Sequence, residues 1–115
     1  MSILREKSFS FSIRIVNLYR FLAEDKKEFV LSKQILRSGT SIGANLSEAE
    51  FSQSTADMVS KYTIALKEAN ETKYWIELLN ATDYIDDVQC SSIKNDCIEL
   101  VKLLVSSVKT LKSKL

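Results

Sequence analysis

Apolar residues recur at spacings of three and four along most of the chain, which is the period of amphipathic α-helices. The pattern is most regular from Met58 to Leu79, where the steps alternate between four and three, and it returns from Cys90 to Leu111. Short polar segments without this period separate the stretches. The sequence therefore predicts an all-α protein with four helices, over about residues 7–24, 32–51, 55–81 and 87–112.

Each predicted helix has a candidate N-cap, a residue whose side chain accepts a hydrogen bond from a free backbone N–H of the first turn. Ser8 and Ser32 are the candidates for the first two helices, and Ser54 for the third. Asp86 and Asp87 suit the start of the fourth helix, where the helix dipole favours acids. Because the connections are short, successive helices should be antiparallel neighbours in an up-down-up-down bundle.

Two glycines stand one turn apart in the second predicted helix. Gly39 and Gly43 each cost about 1 kcal/mol relative to alanine in a helix interior. Their presence predicts the close approach of another backbone. The third helix is also small at Ala65, Ala69 and Thr72, so we expect the second and third helices to pack closely.

The composition supports a single four-helix bundle domain over residues 1–115. The chain has no proline and only two glycines, which disfavours turn-rich β architectures. It has no apolar run of membrane-spanning length, and its first residues lack the apolar core of a signal peptide. We therefore expect a cytoplasmic protein that does not bind a membrane.

The net charge is only +1, but the charges are unevenly placed. Basic residues gather near the two ends of the chain, whereas residues 68–99 are mostly acidic. One interpretation is that these residues cover solvated faces and complement the helix dipoles. The other is that they contact a nucleic acid. The candidate residues are Arg5, Lys7, Arg14, Arg20, Lys102, Lys109 and Lys112.

Catalytic machinery is not evident. The chain contains no histidine, the commonest general base and metal ligand. Cys90 and Cys97 lie seven residues apart on one helix, about 10 Å along its axis, which is too far for a disulfide. They are best interpreted as small core residues. We expect no catalytic residue, no metal site, no cofactor and no small-molecule substrate.

A polar stripe borders the apolar face of the second helix and has a counterpart on the third. In an antiparallel pair, Glu48 should lie near Lys61, Arg37 near Glu68, and Gln34 near Glu71. We interpret the stripe as a structural ladder that fixes the register of the two helices; the alternative is a catalytic carboxylate pair. The ladder comprises Gln34, Arg37, Ser41, Asn45, Glu48, Lys61, Glu68 and Glu71.

Aromatic and apolar residues lie outside the regular apolar face of the third helix. Tyr74, Trp75 and Leu78 are candidates for an oligomer interface, and the alternative for Trp75 is the ordinary rim of the core. The first helix adds a second apolar row containing Phe9 and Ile13. One small core can hardly bury all of these residues, which favours self-association.

Two long motifs resemble those of a known family. The first is LSKQILRSGTSIGAN over residues 31–45, followed by Glu48 and Ala49. The second is Lys61 with IALKEANETKYW over residues 64–75. They resemble the signatures of the bacterial four helix bundle protein family, also called the 23S rRNA intervening sequence protein or S23 family. The resemblance extends over nearly the whole chain.

The resemblance implies an up-down-up-down bundle that assembles into a homo-oligomer, a pentameric barrel. Related proteins accompany the reverse transcriptase of diversity-generating retroelements, and those markedly basic relatives are thought to bind nucleic acid and the transcriptase. No enzymatic activity is established for the family. We therefore expect a non-enzymatic homo-oligomeric scaffold that binds RNA, DNA or a reverse-transcriptase-like protein. The alternative is a protein–protein interaction module that binds no nucleic acid.

Overall fold

The computed structural model describes residues 2–115 and confirms the all-α, four-helix architecture. The third and fourth helices have the predicted bounds, and the bundle measures 46 × 21 × 21 Å. Within residues 2–115, no helix has the length and apolar character needed to cross a membrane. The helices are α1 (Ile3–Arg20), which continues into a π-helical turn (Phe21–Asp25), α2 (Leu31–Ala49), α3 (Thr55–Ala81) and α4 (Asp87–Lys112).

Ion pairs show that successive helices are antiparallel. Arg5 at the start of α1 meets Glu50 just beyond the end of α2. Glu48 near the end of α2 meets Lys61 in the second turn of α3, and α3 meets α4 in the same head-to-tail sense. These contacts establish the up-down-up-down order.

The first helix begins at Ile3, four residues before the predicted start. The Ser2 hydroxyl accepts a hydrogen bond from the backbone N–H of Arg5 (3.2 Å) and caps the helix. The prediction that Ser8 is the cap was wrong. Ser8 is buried inside α1 and donates to the Arg5 carbonyl (2.9 Å), because the buried face of the helix extends back to Leu4.

Ser32 is likewise not a cap, because α2 begins one residue earlier, at Leu31. The Glu28 carboxylate accepts hydrogen bonds from the backbone N–H groups of Ser32 (2.7 Å) and Val30 (3.3 Å). Burial by itself would raise the pKa of Glu28, but these backbone hydrogen bonds outweigh it and hold the pKa below its usual value. The Glu28 carboxylate, which precedes α2, therefore caps this helix in place of the predicted cap Ser32.

The later helices start as predicted. Ser54 accepts a hydrogen bond from the Asp57 backbone N–H (3.0 Å), which fixes the start of α3. Asp86 and Gln89 form a reciprocal capping box at the start of α4, with hydrogen bonds of 2.7 and 2.9 Å. The α3–α4 connection turns at Asp83, whose φ of 68° lies in the left-handed region.

Each helix contributes one buried stripe to the core. In α1 the stripe includes Leu4, Phe11 and Ile15. The second apolar row of α1 faces outward, with Phe9 68% exposed and Ile13 50% exposed. The three-four pattern of α2, α3 and α4 coincides with their buried faces over most of their length.

The two glycines of α2 allow the close approach of α1 rather than of α3. A Cβ atom at Gly39 would lie 2.7–2.8 Å from three side-chain carbons of Ile15, and one at Gly43 would lie 3.3 Å from the Ser12 hydroxyl. The predicted close packing of α2 and α3 is also present, since theirs is the most extensive contact between two helices. This interface includes a buried hydrogen bond of 2.9 Å between the hydroxyl groups of Thr72 and Ser38. The glycines therefore have a different partner from the one the sequence suggested.

Candidate functional site

The outer edge of the α2–α3 interface holds the predicted ladder residues, with Arg37 at the centre. The Arg37 guanidinium donates to Glu68 (3.2 Å) and to Glu71, and it lies 3.5 Å from the Gln34 amide oxygen. At one end of the ladder, the ammonium nitrogen of Lys61 lies 3.5 Å from a carboxylate oxygen of Glu48. All four of these interhelical or local contacts form within one chain.

Two ladder residues bind their own helix instead of α3. The Ser41 hydroxyl donates to the Arg37 carbonyl, and the Asn45 amide donates to the Ser41 carbonyl (2.8 Å). Short polar side chains commonly bond the carbonyl one turn earlier in this way. Gln34 reaches Glu71 only through Arg37. The links across the interface are therefore ion pairs, and each carboxylate of the ladder has a cationic partner.

The predicted aromatic surface adjoins this ladder. The Trp75 indole N–H donates to the Glu71 carboxylate (3.0 Å), and its ring packs partly against the core. Tyr74 meets Trp75 edge to face, with the ring centroids 5.1 Å apart, and is 58% exposed. Leu78 is half-buried. Of the three residues, Tyr74 presents the most surface to a partner.

Three of the seven candidate nucleic-acid contacts are paired with acids of the same chain. Lys7 binds Glu99 (2.6 Å), and this hydrogen bond raises the pKa of Lys7. Arg14 binds Asp96 (2.6 Å) and both the carbonyl and the hydroxyl of Ser92. Arg5 is paired with Glu50. Two acids of the acidic segment thus neutralise Lys7 and Arg14, and Glu50 of the α2–α3 connection neutralises Arg5.

The other four candidates lie at opposite ends of the bundle. Arg20 ends α1, beside the start of α4. Lys102, Lys109 and Lys112 are exposed on the last three turns of α4, and within residues 2–115 they form no ion pair. The structure therefore does not gather the seven residues into one patch, but it leaves three lysines together at one helix end.

The cysteines are free and buried. The Cys97 thiol donates to the Ala69 carbonyl (3.3 Å), and burial raises its pKa to about 12. A thiol that stays protonated at neutral pH is neither a nucleophile nor a good metal ligand. Among the residues that the structure describes, no three cysteine or acidic side chains are grouped as a metal site would require.

One surface was overlooked by the sequence analysis. We call it the α1–α2 outer face, formed by Phe9, Ser12, Gly43, Ala44 and Ser47. Together with Arg5 and Ser8 at one end, these residues surround a cavity of about 360 Å³. The sequence contains an indication of this uncharged face, because α2 has no charged residue between Arg37 and Glu48. That run was interpreted only as a packing surface, and the exposure of Phe9 depends on how α1 is rotated in the bundle.

Comparison with known proteins identifies the chain's relatives. The structure is similar to the crystal structure of a protein of unknown function from the S23 ribosomal protein family of Bacteroides thetaiotaomicron VPI-5482. The two share 61% sequence identity with a TM-score of 0.92, over 93% of this chain and 96% of the other. No curated protein matches the chain. The model of the 23S rRNA-intervening sequence protein family matches residues 2–106, and the chain belongs to that family.

Proposed function

We propose that this protein is a non-enzymatic homo-oligomeric scaffold that binds nucleic acid through the C-terminal part of α4. The family is named for an intervening sequence of 23S rRNA, and the structurally similar Bacteroides protein is assigned to the S23 ribosomal protein family. Both descriptions refer to the ribosome or its RNA, and neither states what the proteins bind. Structured RNA is therefore the first ligand to test.

The observation that carries the proposal is the set of three unpaired lysines on α4. Lys102 and Lys109 lie seven residues apart, which is about two turns and 10 Å along the helix, and Lys112 follows within the next turn. Lysines near a helix C-terminus also complement its dipole. Exposed ammonium groups without a carboxylate partner are nevertheless the groups most available to phosphates.

Oligomerisation would multiply this small basic site. Three lysines in one copy are a weak site, but repeating them in one particle raises the local positive potential and the effective concentration of binding groups. The resemblance to the family implies a pentamer, so we take five copies as the expected stoichiometry. A net charge of +1 per chain does not oppose this, because Asp96 and Glu99 precede the three lysines on α4 and are themselves paired with Arg14 and Lys7.

The arrangement of the carboxylates supports a role without catalysis. Glu48, Glu68 and Glu71 are each paired with Lys61 or Arg37, and the Glu71 carboxylate also accepts from Trp75. A general base needs a carboxylate that can approach a substrate proton. These three are engaged in holding α2 against α3.

The test is light scattering behind size exclusion, at low and high salt, with and without a generic structured RNA. The proposal predicts an oligomeric particle that gains mass with RNA at low salt and loses it at high salt, because phosphate contacts release counterions. A particle that is indifferent to RNA at low salt would refute nucleic-acid binding.

Charge-matched variants localise the contact. Lys109→Gln/Lys112→Gln should weaken RNA binding strongly, since it removes two unpaired cations. Lys7→Gln/Arg14→Gln removes the same formal charge but from groups already paired with Glu99 and Asp96, so it should weaken binding much less. Equal losses in the two variants would show that only net charge matters and would contradict the assignment to α4.

A second candidate is a protein-interaction module that binds no nucleic acid. The exposed Tyr74 ring beside Trp75 favours it, because aromatic residues are enriched at protein interfaces. A reverse-transcriptase-like protein is the partner to test, with a nuclease treatment as the control. Binding that survives nuclease and is lost in Tyr74→Ala would favour this function over the first.

A further inference from the structure

Charge divides the four boundaries between neighbouring helices into two kinds. Ion pairs cross the α2–α3, α3–α4 and α1–α4 boundaries within the helices. Among residues 2–115, the α1–α2 boundary has a single pair, Arg5–Glu50, at its extreme end. The middle of the α1–α2 outer face is therefore uncharged, which is unusual for a surface that only meets water.

The same face has both a projecting side chain and a hollow. Phe9 is 68% exposed, although a phenylalanine buries 150–250 Å² when it is fully packed. Beside it, the small residues Gly43, Ala44 and Ser47 leave the cavity of about 360 Å³ open to the surface. A hollow of this size is large enough to receive an aromatic ring.

The face is also preformed. One turn along α2 from Gly43, Gly39 lets the buried Ile15 side chain approach the backbone of α2, which fixes the separation of the two helices. A rigid surface loses little conformational entropy on association, so more of the contact energy is available for binding.

We propose that the α1–α2 outer face is the surface on which a second copy of this chain docks, with Phe9 of one copy entering the cavity of the other. This rests on the oligomeric part of the proposed function and assigns that contact to a surface. The occupant is a second copy because one face holds both complementary features. Such a contact can be reciprocal about a twofold axis or repeated around a ring.

The surface chosen from the sequence is less suitable. Tyr74 and Trp75 border the charged α2–α3 ladder, and the Trp75 indole is already bound to Glu71. The two grooves between α1 and α4 are bordered by Lys7, Asp96 and Glu99 in one case and by Arg14 in the other. Docking on the ladder or on the first groove requires several charged groups to lose water. The cavity of the α1–α2 outer face is bordered by one charged residue, Arg5, which lies at its end and is paired with Glu50.

The experiment measures particle mass by light scattering behind size exclusion for the wild type and three single variants. Phe9→Lys and Ala44→Lys place a charge in the centre of the proposed contact, and Tyr74→Lys places the same charge on the rival surface. All three positions are exposed, and circular dichroism verifies that each variant is folded. We expect an oligomer for wild type and Tyr74→Lys, and the 13.1 kDa monomer for the other two.

The outcomes separate this inference from the proposed function. A wild-type oligomer that persists in folded Phe9→Lys and Ala44→Lys would overturn the inference and leave the scaffold intact. A monomeric wild type would overturn both the inference and the oligomeric part of the function. Dissociation of Tyr74→Lys alone would assign the contact to the aromatic surface instead.

Discussion

The two sides of α1 are held to the bundle by different means. Towards α2, the helix lies so close that the Ile15 side chain occupies the space where Gly39 lacks a Cβ. Towards α4, the contact is the thinnest between any two neighbouring helices, with surface grooves of about 240 and 480 Å³. That side is joined by Lys7–Glu99 and Arg14–Asp96.

The difference separates shape from charge as sources of stability. Packing against a glycine depends on an exact separation of two backbones, and interiors tolerate even one added methyl group poorly. Exposed ion pairs tolerate movement and contribute about 0–1 kcal/mol each. We therefore expect the α2 side of α1 to determine how α1 is placed, while the α4 side adjusts to that placement.

The largest expected effect is at Gly39. Gly39→Ala places a methyl group under 3 Å from the buried Ile15 side chain and should destabilise the protein by about 1–3 kcal/mol, even though alanine favours the helix. Gly43→Ala is the matched control, because its methyl group would meet the Ser12 hydroxyl at 3.3 Å. The control should be neutral or stabilising by up to about 1 kcal/mol. Urea unfolding measures both, and equal destabilisation would contradict the special role of Gly39.

A smaller effect is expected at Glu28, which caps α2 at the end of the α1–α2 connection. Glu28→Gln should cost about 1 kcal/mol at neutral pH, as the loss of a helix cap does. Its folded-state pKa is lowered, so its contribution is complete above the unfolded value of about 4.3 and is lost as pH falls through the folded value.

The pH dependence of unfolding checks this sign. The wild type should lose more stability than Glu28→Gln as the pH falls below about 4.3. Glu24→Gln, an exposed acid in the preceding π-helical turn, is the control and should follow the wild type. Parallel curves for wild type and Glu28→Gln would refute the capping role.

The smallest effect is expected on the α4 side of α1. Arg14→Gln breaks the half-exposed pair with Asp96 and should cost well under about 1 kcal/mol. Because salt screens exposed charges, the difference from wild type should shrink further in 1 M NaCl, where the Debye length is about 3 Å. A loss as large as that of Gly39→Ala would show that charge, rather than shape, places α1.

Local signals explain which parts of the fold were predictable. The bounds of α3 and α4 follow from caps adjacent in sequence, such as Ser54 with Asp57. The start of α1 was misplaced because Ser2 and Ser8 are equally good caps locally, and only the burial of Leu4 decides between them. The register of α2 against α3 was predictable because ion pairs such as Glu48–Lys61 follow from counting residues about one turn.

Features that depend on the rotation of a helix were not predictable. Gly39 and Gly43 indicated a close approach, but nothing nearby in the sequence identifies α1 as the helix that approaches. The same rotation leaves Phe9 outside while Phe11 is buried, although both belong to apolar rows of α1. The α1–α2 outer face is therefore a property of the tertiary structure.

The most direct test of whether copies of the chain meet through shape rather than charge, as proposed for the α1–α2 outer face, is the particle mass of the wild-type protein measured from low salt to 1 M NaCl, without nucleic acid. Contacts between apolar surfaces do not weaken as salt rises, whereas contacts between exposed charges do. The account predicts an oligomer whose mass is unchanged across the series. Dissociation to the monomer at high salt would show that charged surfaces join the copies and would contradict the role given to the α1–α2 outer face.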